Sequence, residues 1–320
     1  MHLKLNKIST DYIIIKIFIN RKIDIYLMTV FRIENRVVSF LIVLAVYILA
    51  LFVAAIVFKL TSSMHFLLST FLADIAATIV VWLAGVLFDN SSVYDPYWSV
   101  APIVILPFWV IVRGNLFSAV DILFLAAVTV WGIRLTLNWA IRWKGMHHQD
   151  WRYTMLKKKS PRLWFFTNLL GINLMPTVIV FAALTPAYFG VGQEKKFNFF
   201  TGIYFAICMC AVLVQAISDR QMELFKKDRS NKDKYIDRGL WRYSRHPNYF
   251  GEILFWWGIW LMQMSVASRI WVTVTGPVLV TLLFIFVSIP MMEKHLLASI
   301  PAYSNYRRRV SMLKPMPRKK

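Results

Sequence analysis

Between Phe40 and Phe58 the chain reads FLIVLAVYILALFVAAIVF, nineteen residues without a charge. As a helix rising ~1.5 Å per residue, such a run matches a hydrocarbon layer roughly 30 Å thick. Lipid offers no water to the backbone, so a run of this kind has to satisfy its amides internally, which a helix does. Seven further apolar stretches follow, and together the candidate crossings cover 37–58, 64–88, 97–113, 118–141, 164–189, 197–217, 248–267 and 270–290. The third is short and holds Pro102 and Pro107, a pattern that suits a bent or re-entrant segment. The expected fold class is therefore all-α, a polytopic membrane bundle of about seven or eight transmembrane helices.

Net charge is +21, from 37 Lys and Arg against 16 Asp and Glu. The basic residues are not spread evenly: 31 of the 37 lie in 1–37, 141–163, 218–247 and 291–320. Eight crossings put these four segments on one side, and the enrichment of Lys and Arg in cytosolic loops then predicts that both termini are cytosolic. This explains the basic excess without nucleic acid. The two cysteines, Cys208 and Cys210, sit in an apolar run and read as small packing residues. No disulfide framework or zinc spacing is present, and no metal is expected. Residues 1–36 form a basic segment with apolar runs too short to cross. It reads as an interfacial helix or as a translated upstream region with Met28 as the start. Residues 37–320 read as a single membrane domain.

The polar chemistry concentrates where helices meet the basic side. In RYSRHPNYFGE, Pro247 suits the first turn of a helix, and Asn248 and Glu252, four apart, project from one face of it. A carboxylate at the edge of the bilayer ordinarily has a partner. Arg242, Arg245 and His246 precede the helix start, whose free N–H groups favour anions. This arrangement could hold a phosphate, with a carboxamide or other planar head gripped one turn deeper. The plainer alternative is arginines anchored to lipid headgroups.

Ser218 and Asp219 end the sixth span, where the helix dipole disfavours an acid, so a ligand or a cation is expected beside Asp219. Arg134, Asn138 and Arg142 recur every four residues and form one polar stripe on the fourth span. The depth of Asp74 on the second span argues against its pairing with Arg134. Tyr94, Asp95 and Tyr97 crowd between the second and third spans, either as polar turn residues in an aromatic belt or as proton donors to a carbonyl oxygen. The closing segment, with Tyr303, Tyr306 and Arg307 to Arg309, either lies on anionic lipid or folds over a site and adds phosphate contacts.

Taken in order, DPYWS, WGIRLTLNW, DWRY, SDRQM, GLWRYSRHPNYFGE and EKHLL…PAYSNYRRR resemble the steroid 5-alpha-reductase superfamily, in its branch of multi-pass membrane proteins. The resemblance runs from about Asp89 to the C-terminus; before that only hydropathy matches. It implies a membrane reductase that uses NADPH, with Ser218, Asp219, Asn248 and Glu252 on the cofactor and Arg245 on the cofactor side. Tyr249, Arg242, His246, Arg134 and Asn138 join the expected cofactor site by position. Tyr94, Asp95 and Tyr97 are the candidates for holding a substrate carbonyl. The implied reaction is reduction of a carbon–carbon double bond conjugated to a carbonyl in a steroid, isoprenoid or enoyl lipid, in a bacterial inner membrane or the endoplasmic reticulum. Two other readings stand beside it. Isoprenylcysteine-type methyltransferases share the R-H-P-x-Y-x-G core but bind S-adenosylmethionine, and a non-catalytic lipid-binding protein needs no cofactor.

Overall fold

The structure is a computed structural model that describes residues 33–112, 118–192 and 196–318. The basic segment 1–36, with the Met28 alternative, lies almost wholly outside the described residues. Among those residues all regular structure is helical, apart from one isolated parallel bridge between Ser244 and Ser311. Every predicted crossing is a helix. In chain order they are α1 (Arg36–Leu60), α2 (Phe66–Leu87), α3 (Tyr97–Val112), α4 (Ala119–Arg142), α6 (Pro161–Gly190), α7 (Phe199–Lys227), α8 (Pro247–Val266) and α9 (Trp271–Ser299). Two short helices complete the set: α5 (Trp151–Lys159) and α10 (Tyr303–Arg309).

Seven of these helical runs are long and apolar enough to cross a membrane, and the chain is an integral, multi-pass membrane protein. The helix that falls outside the seven is α8. It carries Asn248, Glu252 and Gln263, and the last two are 4% and 0% exposed, so its polar groups are hidden by protein. α1 shows the opposite design: its side chains are nearly all apolar and most are exposed, as a lipid-facing helix requires. α3 continues as a helix through Pro102 and Pro107. Two π-type stretches, Thr167–Leu174 in α6 and Phe284–Ser288 in α9, interrupt the α-helical ladder.

The chain divides into two compact units. The first holds the residues up to Asp95 and Trp143–Asn173. Here α1 packs along α2, and the loop after α2 is built into a polar interior. Asn90 donates to the carbonyls of Met146 (2.7 Å) and His148 (3.2 Å), and Ser91 donates to Asn168 (3.2 Å). Asp150 caps α5 by accepting from the Arg152 amide at 2.8 Å.

The second unit holds Pro96–Arg142 and the chain from Leu174 onward. Its central contact is α7 against α8. Glycines make this approach possible, because van der Waals packing drives helix association in lipid and small residues bring backbones together. A Cβ on Gly258 would lie 2.5 Å from Cys208 Sγ, and one on Gly251 would lie 2.8 Å from the Ala211 carbonyl oxygen. Cys208 is thus a fully buried packing residue at a helix crossing. Gly276 of α9 is tighter still: its Cβ would fall 2.4 Å from the Ala182 carbonyl oxygen and 2.6 Å from Ala183 Cα, where only backbone could yield. Gly276→Ala is expected to destabilise the protein by about 1–3 kcal/mol through this overlap. Gly171→Ala, which meets nothing within 4 Å, serves as the control in the same thermal unfolding assay. Equal melting of the two variants would refute this packing account.

Candidate functional site

Three helices of the second unit bring polar residues to one buried place. Successive residues of an α-helix three or four apart share a face, and α4 uses this to present Trp131, Arg134, Asn138 and Arg142 along one stripe. α7 contributes Ser218 and Asp219 where its apolar run ends, and α8 contributes Asn248, Glu252 and Trp256 from its first turns. Pro247 occupies the first position of α8, as its missing N–H allows.

Arg134 is the hub. Its Nη1 donates to Asp219 Oδ2 at 3.0 Å, and its Nη2 lies 3.6 Å from Glu252 Oε2. The helix does not end at Asp219, as the sequence suggested, but runs two turns further to Lys227; the acid, buried inside it, meets the Arg134 cation, and the carboxylate of Glu252 has its partner. Arg142 adds a second contact, donating from Nη2 to the Asp219 carbonyl oxygen at 3.2 Å. Asn248 approaches the same carboxylate, with Nδ2 3.5 Å from Asp219 Oδ1. Glu252 is 4% exposed, and its Oε1 accepts from two indoles, Trp131 at 2.9 Å and Trp256 at 3.1 Å. These indoles meet edge to face at 4.8 Å, and Trp131 also stacks on Phe255 at 5.2 Å. The result is a wall of rings that fixes Glu252 and keeps water from it. Ser218 is fully buried and spends its hydroxyl on the Val214 carbonyl; Trp241 donates to its backbone oxygen at 3.2 Å.

Two arginines face two carboxylates here, so the cage carries no surplus charge for a phosphate. Its open valences are of another kind. Nε and Nη2 of Arg134 are buried without a hydrogen bond, and both amide atoms of the fully buried Gln215, one turn from Asp219 on α7, have no partner among the described residues. Asn138 is half-buried on the same stripe. Donors and acceptors of this type suit a carboxamide and ribose hydroxyls, so the residues present fit the nicotinamide half of a dinucleotide. Arg142, 43% exposed along its side chain, is the cation at the open end of the stripe.

The structure separates Arg245 and His246 from this cage. Both turn to Glu293 of α9: Arg245 Nε lies 2.8 Å and His246 Nε2 3.2 Å from Glu293 Oε1. Burial lowers the His246 pKa, against the pull of Glu293, so the ring is neutral near pH 7. Tyr249 stacks on His246 at 5.4 Å and contacts Phe284. Arg242 is exposed, with its carbonyl accepting from Arg318. Of the expected cofactor residues, Arg134, Asp219, Asn248 and Glu252 are joined by direct contacts, Ser218 and Asn138 flank them, and Arg242, Arg245, His246 and Tyr249 make their contacts elsewhere.

The candidates Tyr94 and Asp95 belong to the first unit, and Tyr97, 6% exposed, to the second. Asp95 has a partner that sequence reading missed: the Tyr153 hydroxyl donates to its Oδ1 at 2.5 Å. Burial first, and then the Asp95 charge, push the Tyr153 hydroxyl well above the ordinary phenol range. This phenol keeps its proton at physiological pH and donates it in the hydrogen bond to the Asp95 carboxylate. The DWRY motif was the available signal, but nothing in it pointed to Asp95, fifty-eight positions earlier. Arg142 was visible in the polar stripe but not placed at the site; Trp131 and Trp256 were not singled out, since indoles in an apolar helix read as membrane packing, and neither was Gln215.

One curated relative, an uncharacterized protein of Schizosaccharomyces pombe, is 24% identical over 216 residues, which cover 59% of this chain and 62% of that protein. The chain therefore spans less than two thirds of the length of the curated relative it matches. No solved structure matches. Residues 81–310 match the family described as "Protein of unknown function (DUF1295)", and these take in every residue of the cage: the chain belongs to that family.

Proposed function

We propose that the chain is a membrane-embedded, NADPH-dependent reductase of the steroid 5-alpha-reductase type, acting on a carbon–carbon double bond conjugated to a carbonyl in a lipid-like substrate. The observation that carries this reading is the convergence of Arg134, Asp219, Asn248 and Glu252, from three helices, on one buried place with open hydrogen-bonding valences. A bound NADPH would supply a hydride to the carbon β to the carbonyl.

The chain's own residues do the rest. Glu252 and Asn248 would hold the carboxamide of the nicotinamide and fix which ring face is presented. Arg134 keeps two carboxylates oriented in a medium where neither could remain alone. Trp131 and Trp256 exclude water, which strengthens each polar contact inside. As the hydride arrives, negative charge grows on the carbonyl oxygen, and a proton donor there lowers the barrier. The apolar substrate would come from the bilayer. The bias of Lys and Arg supports cytosolic termini, in a bacterial inner membrane or the endoplasmic reticulum.

Thermal unfolding of the detergent-purified protein tests the proposal. NADPH is expected to raise the melting temperature and S-adenosylmethionine to leave it unchanged, because a ligand raises it only by binding the folded state in preference to the unfolded one. The reverse pattern would make the chain a methyltransferase, and no shift with either would leave a lipid-binding protein without a cofactor.

A further inference from the structure

A second polar cluster lies in the same unit, where the apolar run of α9 ends. Glu293, 4% exposed, is held from three sides: by Arg245 and His246, as above, and by Arg307 of α10, whose Nε lies 2.9 Å from Glu293 Oε2. Arg245 also donates through Nη1 to the carbonyls of Arg307 and of Val310, the latter at 3.0 Å. These bonds, with the Ser244–Ser311 bridge, tie the C-terminal segment down and fix the guanidiniums in place.

Beside this tie is an open concavity of about 370 Å³, lined by Arg245, Leu297, Ser304, Arg307 and Arg308. Arg245 and Arg307 share the Glu293 carboxylate, Arg308 donates to the neutral Asn305 Oδ1, and the neighbouring His246 is neutral, so the groove keeps a positive surplus that the neutral cage around Arg134 lacks. The nearby Tyr303 hydroxyl is buried and has no hydrogen-bond partner among the described residues. The lining contains no aromatic ring on which an adenine base would stack. It does contain an apolar side chain, Leu297, in the last turn of a helix apolar enough to span the membrane. A ligand that suits these walls has an anionic phosphate at one end and hydrocarbon at the other.

We propose that this groove binds the phosphate of an anionic phospholipid headgroup, with Arg245, Arg307, Arg308 and the Ser304 hydroxyl around the phosphate and Leu297 against the glycerol or acyl chain. The site is separate from the proposed cofactor cage and does not rest on the reductase reading. An anionic headgroup gains about a kilocalorie per basic residue near a membrane surface, which corresponds to about fivefold in affinity for each arginine removed.

The test reconstitutes the full chain in nanodiscs of phosphatidylcholine alone, or of equimolar phosphatidylcholine and phosphatidylglycerol, and follows unfolding temperature together with lipid retention by native mass spectrometry. Phosphatidylglycerol is expected to stabilise the wild-type protein and to be retained in preference to phosphatidylcholine. Arg308→Gln leaves the Glu293 tie intact; it is expected to fold and to lose about fivefold of that preference. Ser304→Ala provides a second variant outside the tie and is expected to shift in the same direction. Equal retention of both lipids by the wild type would overturn the proposal, as would an unchanged preference in both variants. Equal stabilisation by inorganic phosphate in phosphatidylcholine discs would make the groove a free-anion site. A loss of NADPH affinity in Arg308→Gln with unchanged lipid preference would give the groove to the dinucleotide.

Discussion

Replacing Arg134 by methionine is expected to destabilise the protein by about 3–5 kcal/mol, the cost of removing one partner from a buried ionic group. The side chains are similar in length, so the loss is electrostatic rather than a cavity. Without the guanidinium, Asp219 keeps only Arg142, at 3.8 Å and partly exposed, and Asn248 at 3.5 Å. Glu252 keeps only two indole donors, which do not neutralise it. Two carboxylates then share a water-poor interior, and either they repel or one takes a proton. The same argument predicts the rescue. Arg134→Met combined with Asp219→Asn and Glu252→Gln should recover most of the lost stability, since no naked charge remains and the three changes are coupled rather than additive. Arg142→Met, at a more exposed position, should cost no more than about 1 kcal/mol. Denaturant unfolding of the four proteins decides the matter. An Arg134→Met variant as stable as the wild type would show that the cage is not an ionic network at all.

Much of this arrangement was legible before any coordinates. The spans could be read from hydropathy because lipid leaves a helix little alternative, and the spacing of Asn248 and Glu252 on one face is a property of helix geometry alone. That Asp219 and Glu252 need a cation followed from the expense of a carboxylate near lipid. The identity of the cation did not, because Arg134 and Asp219 are eighty-five positions apart and only helix packing brings them together. The reading of Arg242, Arg245 and His246 with Asn248 failed for a related reason. Adjacent residues look like one cluster in sequence, but the chain turns at Pro247. The residues before it are drawn to Glu293 and to the C-terminal segment, through contacts that local sequence does not encode. Trp131 and Trp256 were hidden in another way: an indole serves equally as membrane packing and as a hydrogen-bond donor, and only the position of Glu252 distinguishes the two.

Glu252→Gln tests the proposed function at its most specific point. The amide has the size of the carboxylate, and its oxygen can still accept from both indoles, so Trp131 and Trp256 keep their places. Arg134 retains Asp219, its shorter contact at 3.0 Å, and no buried anion is left unpaired. The variant is therefore expected to express and fold close to wild type, a contrast with Arg134→Met. What it loses is a charged acceptor for the carboxamide amide hydrogens. A hydrogen bond to a charged group is worth about 1.5–3 kcal/mol, so NADPH affinity should fall by roughly ten- to a hundredfold. Quenching of the site tryptophans on titration with NADPH provides the readout, and Trp131 and Trp256 are placed to report it. Unchanged affinity in a folded Glu252→Gln protein would remove Glu252 from the cofactor site. The buried pairing with Arg134 would then be structural, a way of placing a polar helix start inside a membrane protein. Reduced affinity without loss of fold would instead separate recognition from stability. That separation is what the proposal requires: Arg134 holds the two acids in place, while Glu252, with Oε1 on two indoles and Oε2 toward Arg134, would recognise the carboxamide.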